Sequence, residues 1–224
     1  MFEAFYEYDL AIARAMHALC EGAGAFFTPF FKFITQFGNV GWGFLVAAAV
    51  MLLFQRTRRA GVAALLAVAL GAVFTNLILK NAVARPRPYA DETSPFYAFW
   101  QGAGSMKESE FSFPSGHATA SAAFAAALVC AFNKKTSWLY LLLPLVMGVT
   151  RVYFQVHFAS DVLFGLIIGG ACGVGAWFLT KLLAKWTLFS RFLQADGVVA
   201  WIKKRKKKAP AEEPAEDDKE ENDK

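Results

Sequence analysis

The sequence predicts an all-α fold: a polytopic bundle of about five to six membrane helices, with an N-terminal amphipathic helix lying at the interface. Three observations carry this prediction. Hydrophobic residues fill 56% of the 224 positions and the mean hydropathy is +0.36, too apolar for an ordinary water-soluble domain. Apolar runs recur at about the 20 residues a helix needs to cross a hydrocarbon core of roughly 30 Å. Lys and Arg are also distributed unevenly among the intervening loops.

Taken in order, residues 1–24 mix Phe2, Phe5, Tyr6, Leu10, Ala13 and Met16 with Glu3, Glu7, Asp9, Arg14 and Glu21. The apolar positions fall at helical spacing, which favours an interfacial helix over a span. The stretch lacks the basic start and long apolar centre of a cleavable signal peptide. A membrane domain is expected over residues 25–190, with spans at 30–54 (interrupted by Lys32 and Gly38), 60–79, 118–132, 138–154 and 162–183. Pro144 is expected to bend the fourth of these. Gly165, Gly169 and Gly173 repeat at four-residue intervals in the last, a pattern that permits close helix packing within the chain. Residues 191–224 pass from a basic block, Lys203 to Lys208, to an acidic stretch with almost nothing to bury. This reads as a disordered tail whose basic part lies near anionic headgroups.

The formal charge of +5 therefore points to a membrane surface as partner and not to nucleic acid. Cys20, Cys130 and Cys172 stand singly and indicate neither a disulfide framework nor a metal cluster.

Arg56, Arg58 and Arg59, then Lys134 and Lys135, then Lys181, Lys185, Arg191 and the basic block fall on one face if the spans alternate. The positive-inside rule makes that face cytoplasmic. Lys80, Arg85, Arg87, Lys107 and Arg151 then stand on the opposite, disfavoured face, where an anionic substrate is the simplest reason to keep them.

Three polar clusters share that face. In "LKNAVARPRP", Lys80 ends a span and Arg87 follows between Pro86 and Pro88, in a segment the prolines hold extended. An Arg fork and a Lys point charge suit a phosphoryl group, although cations at a helix end also serve as interfacial anchors. In "FPSGHATAS", Pro114 suits the start of a helix, and Ser115, Gly116 and His117 occupy its first turn. The free amides of that turn and the Ser115 hydroxyl form an anion site, which Gly116 leaves open to close approach. The alternative is a polar cap with an incidental histidine. In "TRVYFQVHFASDV", Arg151 precedes His157 and Asp161, which stand four apart and share a face on helical backbone. The carboxylate can accept a hydrogen bond from one ring nitrogen and leave the other as a lone pair. A satisfied polar pair is the alternative there.

Two of the chain's three histidines fall in these clusters. Together the clusters supply a nucleophile, an acid for the leaving oxygen and positive charge for the equatorial oxygens of a phosphoryl group. No carboxylate cluster suited to Mg²⁺ accompanies them.

Lys80 with Arg87 and Pro88, then Pro114-Ser115-Gly116-His117, then Arg151 with His157 and Asp161, resemble the three-part signature of the type 2 phosphatidic acid phosphatase (PAP2) superfamily. Bacterial undecaprenyl-diphosphate and phosphatidylglycerophosphate phosphatases belong to it. The resemblance covers roughly residues 25–183, with Thr150 where the family usually has Ser. It implies that His157 attacks phosphorus, oriented by Asp161, and becomes a phosphohistidine. His117 would protonate the leaving oxygen, while Lys80, Arg87, Arg151 and the Ser115–Gly116 turn hold the phosphate. Hydrolysis without a cofactor or metal is implied as well. The expected function is cleavage of a membrane lipid phosphate or diphosphate at the extracytoplasmic face, undecaprenyl diphosphate being favoured. Phosphatidate or phosphatidylglycerophosphate hydrolysis, a lipid phosphotransferase, and a non-enzymatic scaffold or transporter component are the alternatives.

His17 matches no motif and is expected at the interface. The connection 89–112 bunches Phe96, Tyr97, Phe99 and Trp100, which suit the headgroup zone either as anchors or as a gate for lipid entry.

Overall fold

A computed structural model of the chain describes residues 2–198, so the basic block and the acidic stretch lie outside the described residues. The elements run α1 (Tyr6–Gln36), α2 (Trp42–Leu52), α3 (Gln55–Ala72), α4 (Lys80–Val83), α5 (Pro95–Gly102), α6 (Gly116–Phe132), α7 (Leu142–Tyr153), α8 (Ala159–Leu183) and α9 (Thr187–Gln194), and among the described residues there is no strand. A π-helical turn, Val73–Leu79, carries α3 into α4.

Two of these helical stretches are long and apolar enough to cross a membrane, Gln55–Ala90 and Ala159–Leu183. Shorter apolar helices are Trp42–Leu52, Gly116–Phe132 and Ser137–Tyr153. Large apolar side chains on their outer faces, such as Leu77, Ile167 and Phe178, are exposed, as suits a surface solvated by lipid.

The core is built from α3, α6 and α8, whose mutual packing is the most extensive in the molecule. Ala63, Ala64, Ala67, Ala123, Ala127 and Ala176 are fully buried there. The glycine stripe of α8 lies directly on the backbone of α6. A Cβ at Gly169 would stand 2.3 Å from the Thr119 carbonyl oxygen, and one at Gly173 would stand 2.6 Å from that of Ala123. At Gly165 the nearest atom would be the Ser115 carbonyl oxygen at 2.7 Å. The spacing that suggested close packing thus serves packing within the chain, and it draws the start of α6 against the start of α8.

Two boundaries differ from the sequence expectation. The span over 30–54 is broken: α1 ends at Gln36 and α2 begins at Trp42, after a turn in which Gly41 has φ +70°. Gly38 in that turn has no room for a side chain, because a Cβ would meet His117 at 2.2 Å. Correspondingly, the N-terminal helix does not stop at residue 24; it bends at Ala23 and continues. Both halves of α1 are tied to the polar end of the bundle, through Asp9 to Arg85 and through Thr35 to Arg151. Pro144 stands just past the change from 3₁₀ winding (Ser137–Leu141) to α-helical winding (from Leu142) within the helix Ser137–Tyr153.

At the opposite end, buried Arg58 donates to the carbonyls of Leu52, Phe192 and Ala195 and holds α9 beneath α3. The connection 89–112 contains α5, which docks on the first half of α1: Phe96 packs with Leu10, Ala13 and Phe158. Trp100 is buried, stacks on Tyr89 at 4.7 Å and donates to the Met106 carbonyl at 2.7 Å. Two of the four bunched aromatics are therefore core residues.

Candidate active site

The π-turn and α4 deliver Lys80, the extended segment after α4 delivers Arg85 and Arg87, the first turn of α6 delivers His117, and the α7–α8 connection delivers His157. A cavity of about 390 Å³ is lined by Lys80, Arg87, Gly116, His117 and His157, from all three sequence clusters. A Cβ on Gly116 would stand 3.2 Å from the Asn76 side-chain oxygen and 3.9 Å from Lys80 Nζ, so glycine keeps this wall open to a ligand.

Arg87 Nη1 lies 3.0 Å from His157 Nε2 and donates to the Val156 carbonyl at 2.7 Å, while Nε donates to the Glu110 carbonyl at 2.8 Å. A guanidinium can only donate, so Nε2 is the nitrogen with the lone pair and the ring proton falls on Nδ1. Burial, and then the charges of Arg87, Arg151 and Lys80, hold the His157 imidazole well below its ordinary range, against the opposing Ser112 backbone. His157 is thus a neutral, fully buried imidazole whose lone pair faces the cations.

His117 Nε2 lies 3.2 Å from the Asn39 side-chain oxygen, on the turn between α1 and α2. Asn39 and Gly38 both line the cavity, which gives the break in the expected first span a place in the site.

Three sequence assignments need correction. Asp161 does not hydrogen bond to His157: the Nδ1 to Oδ2 distance is 3.7 Å. Its carboxylate is taken instead by Arg85 at 2.5 Å, by the Ser112 hydroxyl at 2.5 Å and by the Phe158 amide at 3.0 Å. Ser115 is fully buried and does not line the cavity. Its side-chain oxygen accepts from the Ala118 amide at 3.5 Å and its amide donates to the Asp161 carbonyl at 3.1 Å, so it fastens α6 to α8. Arg151 is also buried behind the cavity wall, donating to Thr35 at 2.5 Å and paired with Glu108, with Nε left without a partner. His17 lies outside the cavity, stacked on Phe99 at 4.4 Å.

Several residues near the reacting groups were not legible as site residues. Glu110 pairs with Lys80 and Glu108 with Arg151, so two carboxylates of the 103–112 segment occupy cations that suit a phosphoryl group. Asn76 sits on the π-turn with a buried side-chain oxygen that has no hydrogen-bond partner among the described residues and lies at the cavity; such turns recur at functional sites. Among the described residues no group of His, Cys, Asp and Glu is disposed to hold a metal ion.

The sequence model of the PAP2 superfamily matches residues 60–185. A lipid A 1-phosphatase from Rhizobium etli is 31% identical over 62% of this chain and 65% of its own length. An undecaprenyl-diphosphatase from Sulfolobus acidocaldarius is 26% identical over 61% of this chain and 63% of its own. The chain therefore spans slightly less than two thirds of these relatives. The crystal structure of a transmembrane PAP2-type phosphatidylglycerolphosphate phosphatase from Bacillus subtilis superposes with a TM-score of 0.59 at 26% identity, covering 82% of this chain and 87% of that one.

Proposed function

The chain belongs to the PAP2 superfamily, and on that premise we propose that it is an integral membrane lipid phosphatase working through a phosphohistidine on His157. The observation that carries this reading is the His157 ring, with its lone pair on the cavity side 3.0 Å from Arg87 and its protonated nitrogen toward Asp161. In the first step Nε2 bonds to phosphorus as the bond to the lipid oxygen breaks, and His117 gives that oxygen a proton. In the second, water attacks phosphorus with His117 as base, and the N–P electron pair returns to Nε2. Lys80 and Arg87 bind the phosphoryl oxygens from the cavity wall, and Arg151 adds charge from behind it.

We read α2, α3, α6, α7 and α8 as the five spans and α1 as interfacial along its whole length. The site then opens extracytoplasmically, with Arg58, Lys134, Lys185 and the tail on the cytoplasmic side, as the charge bias favours. Undecaprenyl diphosphate remains the favoured substrate. The similarity to lipid A 1-phosphatases supports a second reading, a saccharide lipid carrying a 1-phosphate.

Phosphate release by the purified protein in EDTA, across prenyl diphosphate, lipid A, phosphatidate and phosphatidylglycerophosphate, tests the proposal. Release is expected from at least one. No release from any, or transfer only to an added alcohol, would overturn it.

A further inference from the structure

Behind His157 lies a second charged group that no motif predicts. Arg85 donates through Nη1 to Asp161 Oδ1 at 2.5 Å and to the Ser160 hydroxyl at 2.8 Å, and through Nη2 to Asp9 Oδ2 at 2.9 Å. Asp9 in turn accepts from the Ser160 amide at 2.7 Å and from its hydroxyl at 2.8 Å. Asp9, Ser160 and Asp161 are essentially inaccessible. The guanidinium is sandwiched between the rings of Phe2 at 4.1 Å and Phe158 at 3.8 Å.

The charges in this dry set do not cancel: two carboxylates share one guanidinium. Arg85 with Asp161 alone would be neutral and would offer a cationic imidazole nothing. His157 needs that help, because the charged groups that act most strongly on it, Arg87, Arg151 and Lys80, are cations, and the cavity carboxylates Glu108 and Glu110 are engaged with Arg151 and Lys80 and partly exposed. Attack on phosphorus leaves the ring with a proton on Nδ1, a phosphoryl group on Nε2 and formal positive charge. The balancing negative charge nearest Nδ1 is Asp161 Oδ2, at 3.7 Å.

We propose that Asp9 and Arg85 are positioning residues for this step: Asp9 draws Arg85 toward α1, so that Asp161 keeps an anionic oxygen facing His157. Ser112 and the Phe158 amide hold that oxygen in place. A residue on the first turn of the first helix thereby acts on a nucleophile 148 positions later without touching it. The inference rests on the phosphohistidine reading above.

The test compares D9N and D9E with wild type in detergent, normalised to folded protein. The readouts are the nitrophenol burst from p-nitrophenyl phosphate, trapped acid-labile phosphoprotein, and the pH profile of kcat/KM. D9N should slow phosphorylation about tenfold and move the acid limb down by about one pH unit, because the cationic ring loses a favourable charge. D9E should restore both. A burst and acid limb in D9N equal to wild type per folded molecule would show that Asp9 is merely structural. Should D9N not fold, S160A removes only the hydroxyl shared by Asp9 and Arg85. A fall of about threefold is expected there, half a unit of pKa, and an unchanged burst overturns the inference. Wild-type protein that traps no phosphohistidine overturns the proposed function and this inference together, whereas a wild-type burst in D9N overturns the inference alone.

Discussion

Arg85 and Arg87 stand two residues apart in one proline-held segment, and both are buried. Arg85 is held by Asp9, Asp161 and Ser160, all of them buried. Arg87 is held by two backbone carbonyls and His157 and lines the cavity. The difference lies in the partners: fixed carboxylates neutralise a cation for good, whereas carbonyls orient a guanidinium and leave its charge available to a ligand. Residue type alone therefore did not tell a binding arginine from a positioning one.

The largest effects should fall on the histidines of the cavity. His157→Ala is expected to abolish turnover on every substrate, since both steps pass through its nitrogen. His117→Ala should cost roughly 10²–10⁴-fold on a lipid phosphate and much less in the first step with p-nitrophenyl phosphate, whose leaving group needs no proton. A burst and trapped phosphoprotein in His157→Ala, absent in His117→Ala, would reverse the two assignments.

The two arginines should then separate by readout. Arg87→Ala is expected to lower kcat/KM by about 10²–10³-fold while the protein remains folded. Arg85→Ala leaves two buried carboxylates without their cation and should cost on the order of 3–5 kcal/mol of stability, seen as loss of monodisperse protein or a large fall in Tm. Equal stability losses in both variants would erase the distinction drawn here.

Much of this site was legible because its signals are local. Pro-Ser-Gly-His reads as a helix start, and Gly165, Gly169 and Gly173 mark a packing face whatever they pack against, whereas the helical turn expected to join His157 to Asp161 begins only at Ala159. What stayed hidden depends on contacts between distant segments. Asp9 reads as one more charge on an amphipathic helix until Ser160, 151 positions later, binds it. Glu108 and Glu110 resemble a solvated loop until Arg151 and Lys80 claim them. The break between α1 and α2 was read only as an interruption of one span, at Lys32 and Gly38, because apolar runs flank it on both sides, and the crowding of Gly38 against His117 that accompanies the turn has no sequence signature.

A smaller effect is expected from pH. The folded state holds His157 well below its ordinary value of 6.5, so the neutral nucleophile persists as pH falls through 6.5 and the acid limb assigned to His157 should appear lower. Stability follows the same sign: the unfolded chain takes up the proton first, so this group's contribution is complete above about pH 6.5 and is lost below it. A wild-type acid limb of kcat/KM at 6.5 or above would contradict the buried, neutral ring.

The smallest effect concerns the carboxylates that face the cavity cations. Lys80 and Arg151 are almost inaccessible, but Glu110 is 56% exposed and Glu108 27% exposed, so each acidic partner can swing into solvent. Such half-exposed pairs hold about 1 kcal/mol or less. Entry of a phosphoryl group exchanges one anion for another directly on Lys80, and sets its charge against that of Glu108 across the wall from Arg151, so the carboxylates raise the concentration of substrate needed. E108Q and E110Q remove the competing charge while keeping shape, and each should lower KM for a lipid phosphate up to about fivefold, the equivalent of that 1 kcal/mol, with kcat nearly unchanged. Inhibition by orthophosphate should tighten by the same factor, because the competition is for charge and not for the lipid. A rise in KM in either variant would instead make that glutamate an organiser of the site, holding Lys80 or Arg151 where the substrate needs it.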